Sequence, residues 1–285
     1  MIAVTGATGH LGRLTVTALL DRGVPANEVV AVVRDAAKAA DLAALGVQVR
    51  VASYDEPEAL AAAFAGVEKV VLVSGNEFGK RVQQHSNVVE AAKAAGVSLV
   101  AYTGVLNADT TGILIAGEHK ATEEVIRQSG VPYVFLRNGW YFENYTENLG
   151  PALETGALLG AAGDGKIAAA SRADYAAAAA AVVATDGHAG QAYELGGDAP
   201  FTMSELAAEV AAQSGKQVGY QNLAPEEYAA TLVSFGVPQE YAQVLADSDQ
   251  GIERGDLTTD SGHLRTLIGR PTTPLADAVA VALKS

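Results

Sequence analysis

The chain opens with Met1-Ile-Ala-Val-Thr-Gly-Ala-Thr-Gly-His-Leu-Gly12, and this stretch decides the fold. The apolar run from Ile2 to Val4 predicts a short buried strand, which ends at Gly6. A helix is predicted from about His10 to Leu20. Strand, glycine turn and helix in this order are the context in which a glycine-rich fingerprint binds a dinucleotide.

Each glycine of this stretch has a predicted role. Gly6 permits the tight turn, Gly9 lets the backbone approach a pyrophosphate, and Gly12 lets the helix lie close to its strand. The N–H groups at the start of the helix would then face the anion. The spacing is G-x-x-G-x-x-G rather than the commoner G-x-G-x-x-G, so a purely structural turn stays open as the alternative.

Composition limits the kind of protein. The chain has 285 residues, of which 49% are hydrophobic, enough for one large domain or a domain with a lobe. No apolar run approaches the roughly 20 residues of a membrane span, and no basic stretch precedes the first strand, so we expect no signal peptide. The net charge of −14 opposes binding to nucleic acid or to an anionic membrane. The lack of cysteine excludes disulfides and Cys-ligated metals and suits a cytoplasmic enzyme.

Strand-like and helical segments alternate through the first half of the chain. The further predicted strands are Val29–Val33, Gln48–Val51, Lys69–Val73, Leu99–Thr103 and Tyr133–Leu136. Such alternation predicts an α/β fold, a Rossmann-type doubly wound parallel sheet with a smaller C-terminal α/β lobe. We expect a nucleotide-binding domain over residues 1–155, completed by a helix near 173–184, and a partly interleaved lobe over 156–285.

The end of the second strand bears on the cofactor. Arg34 stands where NAD-binding proteins usually have an acidic residue, and its guanidinium suits a 2′-phosphate. Lys38, one helical turn on, would add charge. These residues favour NADPH, although Asp35 follows directly and keeps NADH open. After the fourth strand, Ser74 and Gly75 are candidates for backbone contact with the ribose.

The usual proton donor of short-chain reductases is missing. No Tyr-x-x-x-Lys pair follows the fifth strand, and His119 and Glu123 stand one helical turn apart at the expected place. Such a pair would hold a proton near neutral pH, or it would be a helix surface pair. Without a dedicated acid, the site favours acceptors that take hydride unaided, such as a quinone or a delocalised cation.

The segment Leu136-Arg-Asn-Gly-Trp-Tyr-Phe-Glu-Asn144 is dense in aromatic and polar residues and contains the single Trp. At the carboxyl end of a strand it should reach the nicotinamide, with Asn138 and Gly139 binding ribose or carboxamide. Trp140, Tyr141 and Phe142 would wall a flat apolar pocket, or they would cap the core between the lobes. Downstream, Arg172 and Asp174 are interpreted as a structural ion pair.

These segments, together with Ala161–Ile167 and Arg172–Tyr175, resemble the NmrA-like atypical short-chain dehydrogenases/reductases, most closely the type 2 NAD(P)H:quinone oxidoreductases and the triphenylmethane reductases. The resemblance implies NAD(P)H without flavin or metal, and two-electron reduction of a planar organic acceptor. The catalytic candidates are His119 and Tyr141, in the absence of a Tyr-x-x-x-Lys pair. The implied cofactor contacts are Gly6, Ala7, Thr8, Gly9, His10, Leu11, Arg34, Ser74, Gly75, Asn138, Gly139, Trp140, Tyr141, Phe142 and Glu143.

Two alternatives to this reductase remain. The NmrA-like family, which this sequence resembles, also includes regulators that bind NADP(H) without turnover and signal the redox state to a partner protein. A ketone reductase that uses His119 as its acid is the other. The physiological acceptor and the oligomeric state do not follow from the sequence.

Overall fold

The computed structural model describes residues 1–284. Its main strands are β1 (Ile2–Thr5), β2 (Val29–Val33), β3 (Gln48–Val51), β4 (Lys69–Leu72), β5 (Leu99–Val105), β6 (Tyr133–Asn138) and, after β7 (Ala157–Gly160), β8 (Ala192–Leu195). The sheet order is β3-β2-β1-β4-β5-β6-β8, and every pairing in it is parallel. The order reverses between β1 and β4, which places a ligand crevice at their carboxyl ends. The predicted doubly wound α/β fold is confirmed.

The helices either cover the two faces of this sheet or belong to a smaller lobe. They are α1 (His10–Asp21), α2 (Ala40–Ala44), α3 (Pro57–Ala63), α4 (Arg81–Ala94), α5 (Ala116–Ser129), α6 (Glu143–Thr146), α7 (Gly150–Thr155), α8 (Arg172–Ala184), α9 (Met203–Ser214), α10 (Pro225–Ser234), α11 (Gln239–Arg254), α12 (His263–Ile268) and α13 (Leu275–Ala282). Helices α1, α8 and α12 pack on one face through residues such as Leu19, Val182 and Leu264. Helices α3, α4 and α5 pack on the other through Leu60, Val88 and Ile126.

Two elements differ from the sequence-based expectation in a way that matters for the site. The sequence from Asp35 to Leu45 predicts one helix, but the structure has a 3₁₀ turn, Ala36–Ala39, followed by the short α2. Strand β6 runs on to Asn138, two residues past its predicted end, because it pairs with both β5 and β8 along its length. Asn138 therefore lies at the rim of the sheet.

A smaller lobe forms from the second half of the chain. Strand β7 pairs in parallel with β9 (Gly219–Asn222) to give a separate two-stranded sheet. Its core includes Phe142, Phe201 and Ile252. Helix α9 begins with a capping box, in which the Thr202 hydroxyl accepts from the Glu205 N–H and the Glu205 carboxylate accepts from the Thr202 N–H. Within residues 1–284, no helix combines the length and apolarity that crossing a membrane requires.

Candidate active site

The glycine turn between β1 and α1 has the predicted geometry. Gly6 has φ +59°, a left-handed conformation that favours glycine. A Cβ on Gly12 would lie 2.3 Å from the Gly6 carbonyl oxygen, so only glycine lets the helix lie this close to its strand. Gly9 is the N-cap of α1 and its N–H donates to Gly6 O at 2.9 Å. The first-turn N–H groups of α1 have no partner within the helix and mark an anion-binding position.

A cleft of about 700 Å³ lies over this turn, at the carboxyl ends of the parallel strands. The residues of this cleft that the sequence predicted come from five separated parts of the chain. The sequence-predicted residues that line it are Gly6, Thr8, Gly9, His10, Leu11, Arg34, Ser74, Gly75, His119, Asn138, Gly139, Trp140, Tyr141 and Glu143. Tyr54, which follows β3, lines it as well.

Two predicted contacts lie in the core instead, and the structure corrects them. Ala7 is fully buried under the sheet, and its N–H donates to Val32 O. Phe142 is 3% exposed and stacks on Phe201, with ring centroids 5.6 Å apart, in the core of the lobe. Phe142 follows the cleft-lining Trp140 and Tyr141, and its side chain turns into the core where α6 begins. It therefore stabilises the lobe and does not line the cleft.

The side chains after β2 favour a 2′-phosphate over a free ribose hydroxyl. Arg34 lines the cleft with 78% of its side chain exposed, and its guanidinium lies 3.9 Å from Glu77. The Asp35 carboxylate instead accepts from the Ala37 N–H at 2.9 Å, capping the 3₁₀ turn. Lys38 lies outside the lining of the cleft. The Asp35 carboxylate is therefore engaged in its own turn, whereas the Arg34 guanidinium lies in the cleft, where it could hold a phosphate.

The loop after β4 is held from below by buried polar groups. The Ser74 N–H donates to Thr103 Oγ1, and the Gly75 N–H donates to His85 Nε2 at 2.9 Å. Arg81 Nε donates to Gly75 O. Burial, with the nearby Arg81 charge, lowers the pKa of His85 from 6.5 to about 3, so its ring is neutral and Nε2 accepts. Ser74 and Gly75 line the cleft, but their N–H groups serve to fix the loop.

The proposed His119–Glu123 proton pair is wrong. Both Glu123 oxygens accept from Arg137, which comes from β6, and one of them also binds Arg127. His119 instead bonds through Nδ1 to the Tyr102 hydroxyl at 2.7 Å. Burial and the Arg81 charge lower the pKa of His119 well below its usual value. The imidazole is therefore neutral near pH 7 and holds no excess proton.

The cleft has a nucleotide half over the glycine turn and a second half beside α11. Asn138 and Tyr141 line the cleft as well. Asn138 is 3% exposed, and its Nδ2 donates to the Tyr141 hydroxyl at 3.3 Å. Its Oδ1 is buried and has no hydrogen-bond partner within residues 1–284. A buried amide oxygen without a donor costs free energy, so it points to a ligand donor. Burial raises the pKa of Tyr141, which makes its phenol a weaker acid than usual.

The other half of the cleft has a wall that the sequence analysis missed. Tyr241, Val244 and Leu245 line it from α11, together with Ile115 and Trp140. Their i, i+3, i+4 spacing was a signal that one helix face is apolar. It did not indicate which partner that face would meet, because α11 is far from the glycine turn in sequence.

The residues present fit a phosphorylated pyridine dinucleotide. The glycine turn leaves a cradle that a side chain at Gly9 would fill, Arg34 lines the same cleft, and no donor among residues 1–284 reaches Asn138 Oδ1. The apolar wall, formed by Ile115, Trp140, Tyr241, Val244 and Leu245, leaves room for a flat second molecule beside the dinucleotide.

Comparisons with known proteins agree with this geometry. The model of the NmrA-like family matches residues 1–261. Quinone oxidoreductase 2 of Escherichia coli is 54% identical over 280 residues, 98% of each chain. The crystal structure of the NADPH-dependent quinone oxidoreductase QOR2 from E. coli, complexed with NADPH, has a TM-score of 0.96 at 53% identity and covers 99% of this chain and 100% of its own. Citrobacter sp. triphenylmethane reductase complexed with NADP(H) has a TM-score of 0.94 at 41% identity, over 99% and 100%.

Proposed function

Since the chain belongs to the NmrA-like family, we propose that it is an NADPH-dependent reductase that passes hydride directly to a quinone or a cationic triarylmethane acceptor. The observation that carries this proposal is the cleft, in which a dinucleotide cradle and an apolar wall share about 700 Å³. The relatives named quinone oxidoreductase 2 and triphenylmethane reductase support it over almost the whole chain. We propose residues 1–155 with α8 as the nucleotide-binding part and 156–285 as the interleaved lobe.

The nucleotide half selects the cofactor. When bound, NADPH supplies the hydride. Arg34 binds the 2′-phosphate, which NADH lacks. The Asp35 carboxylate accepts from the Ala37 N–H and therefore makes no contact with the ribose of NADH. The α1 N–H groups bind the pyrophosphate, and Asn138 Oδ1 accepts from the carboxamide. NADH is therefore the weaker donor.

His119 acts in the acceptor half as a hydrogen-bond donor rather than as an acid. The buried Tyr102 hydroxyl needs an acceptor, and His119 Nδ1 at 2.7 Å provides it. The ring hydrogen then resides on Nε2, the nitrogen left for a ligand in the cleft. A neutral imidazole of lowered pKa polarises an acceptor oxygen but supplies no proton near neutral pH. This favours acceptors that stabilise the incoming charge themselves.

The central experiment is an assay of the purified protein without added flavin. NADPH and NADH are each tested with a panel of quinones, triarylmethane dyes and simple ketones. We expect steady NADPH oxidation with quinones or dyes, slower turnover with NADH, and no stimulation by flavin or by added metal. Tight NADPH binding without turnover on any acceptor would instead establish the regulatory binding protein.

A substitution at His119 separates the reductase from a ketone reductase. His119→Ala should lower quinone or dye turnover only several-fold, because one hydrogen bond to the acceptor is lost. Ketone turnover that is substantial in the unchanged protein and vanishes in this variant would contradict the role proposed here and restore His119 as an acid.

The setting of this reaction is proposed on the same basis. The acceptor is a small planar organic molecule, and a chain of net charge −14 has no electrostatic attraction to nucleic acid or an anionic membrane surface. Because the reaction consumes NADPH, we propose that it takes place in the cytoplasm.

A further inference from the structure

Three polar side chains from separate helices meet beside the glycine turn. Arg172 is the first residue of α8, Glu147 caps the end of α6, and His10 is the first residue of α1. Arg172 Nη1 bonds directly to Glu147 Oε1 and lies 3.2 Å from His10 Nδ1. Glu147 Oε1 is 3.3 Å from the same His10 nitrogen. All three residues line the cleft.

The guanidinium of Arg172 is held in place by the protein around it. It lies over the Tyr141 ring, 5.3 Å from the centroid, and Nη2 is 3.4 Å from Asn144 Oδ1. The backbone N–H of Arg172 donates to the Glu143 carboxylate. Only 14% of the side chain is exposed. The expected pairing of Arg172 with Asp174 is wrong, because Asp174 binds Arg270 and the Thr273 N–H.

This position is next to the predicted pyrophosphate. His10 belongs to the α1 turn whose N–H groups face the anion, so a guanidinium 3.2 Å from its ring borders the same space. A guanidinium binds phosphate oxygens through two donors at once. A carboxylate at the same place repels an incoming phosphate and occupies one of those donors.

We propose that Arg172 binds the cofactor pyrophosphate and that Glu147 is a competing carboxylate, which the phosphate displaces from Arg172. The inference rests on the proposed function, because it requires NADPH in this cleft. Glu147 is 49% exposed, so its carboxylate reaches water when it is released. Arg172 then serves NADPH and NADH alike, whereas Arg34 serves the 2′-phosphate alone.

Glu147→Gln tests the competition, because a role that is only structural predicts no gain of affinity. Dissociation constants for NADPH and NADH are measured by titration calorimetry on the full chain. We expect Glu147→Gln to tighten both by about threefold, the range of a partly exposed ion pair. Arg172→Met should weaken both by about tenfold, the loss of a charged hydrogen bond. In the double variant, Glu147→Gln should give no gain.

Glu154→Gln is the matched control, since it removes the same charge from α7, outside the cleft. Unchanged or weaker binding by Glu147→Gln would overturn the competition, and unchanged binding by Arg172→Met would overturn the pyrophosphate contact. Arg172→Lys, which keeps the charge, should have dissociation constants between those of the unchanged protein and Arg172→Met. Thermal denaturation of each variant shows whether it folds. If the unchanged protein binds neither cofactor, the proposed function fails, not this inference alone.

Discussion

The two halves of the cleft are built in different ways. The nucleotide half comes from β1, the glycine turn and α1, which are continuous in sequence, with Arg34 at the end of the neighbouring strand. The acceptor half collects Ile115 and His119 near α5, Trp140 after β6, and Tyr241 to Leu245 from α11. Backbone geometry and close approach dominate the first half, while side-chain packing between distant elements dominates the second.

This difference teaches which substitutions the molecule tolerates. A glycine whose missing Cβ lets two backbones touch has no flexible neighbour that can move aside. Side chains of the acceptor wall meet water or other side chains, which adjust at a smaller cost. Substitutions in the nucleotide half should therefore be the more damaging. The four changes below, in order of expected effect, measure the sensitivity of that half and of the loop beside it, and His119→Ala measures that of the acceptor half.

Gly12→Ala should have the largest effect. The new Cβ would lie 2.3 Å from the Gly6 carbonyl oxygen and 2.8 Å from its carbon, so strand and helix must separate. We expect a loss of about 3 kcal/mol in the free energy of unfolding, measured by urea denaturation. Gly117→Ala is the control, because its Cβ would meet open space in α5, and it should stabilise the protein by up to about 1 kcal/mol. Equal effects of the two changes would mean that close approach does not govern this half.

Gly9→Val should leave the fold but remove the cofactor. Gly9 has φ −79° and ψ 167°, which any residue adopts, and its Cβ would be 3.2 Å from Gly6 O. The valine side chain would fill the pyrophosphate cradle, so the Kd for NADPH should rise at least about a hundredfold. Gly117→Val, outside the cleft, should leave this Kd unchanged. A folded Gly9→Val that binds normally would make the turn purely structural.

Arg34→Ala should change selectivity rather than binding in general. Loss of the guanidinium should raise the KM for NADPH by about tenfold and leave the KM for NADH nearly unaltered, because only NADPH carries the 2′-phosphate. Lys38→Ala removes a nearby positive charge outside the cleft and should have little effect on either. A similar rise for both cofactors after Arg34→Ala would exclude the 2′-phosphate role.

His85 lies beneath the loop after β4, where its Nε2 accepts from the Gly75 N–H, and its titration should give the smallest effect. Its pKa is about 3 in the folded protein and near 6.5 when unfolded, so below pH 6.5 the unfolded chain binds a proton that the folded one refuses. Stability from this group is therefore present above pH 6.5 and is lost progressively down to about pH 3. Between pH 7.5 and 5.5, the loss is about 1.4 kcal/mol. His85→Gln should remove that part of the pH dependence in urea denaturation. An unchanged slope would mean that His85 titrates normally.

The nucleotide half could be predicted closely because its signals are local. The glycine spacing specified the positive φ of Gly6 and the close approach at Gly12, and Arg34 followed a recognisable strand. Strand and helix alternation likewise predicted the parallel sheet, since parallel strands need crossovers of that length. The acceptor half gave weaker signals. The spacing of apolar residues in α11 indicated an apolar helix face, but the sequence did not indicate that this face would line the cleft.

The sequence by itself therefore determined the sheet, the dinucleotide turn and the family. Tertiary structure decided which charges pair: Glu123 binds Arg137 instead of His119, and Arg172 binds Glu147 instead of Asp174. It also turned Phe142 into the core and left Asn138 Oδ1 without a donor from the described part of the chain. The physical reason is range. Backbone conformation depends on neighbours in the chain, whereas ion pairs, burial and pKa depend on which surfaces meet after folding.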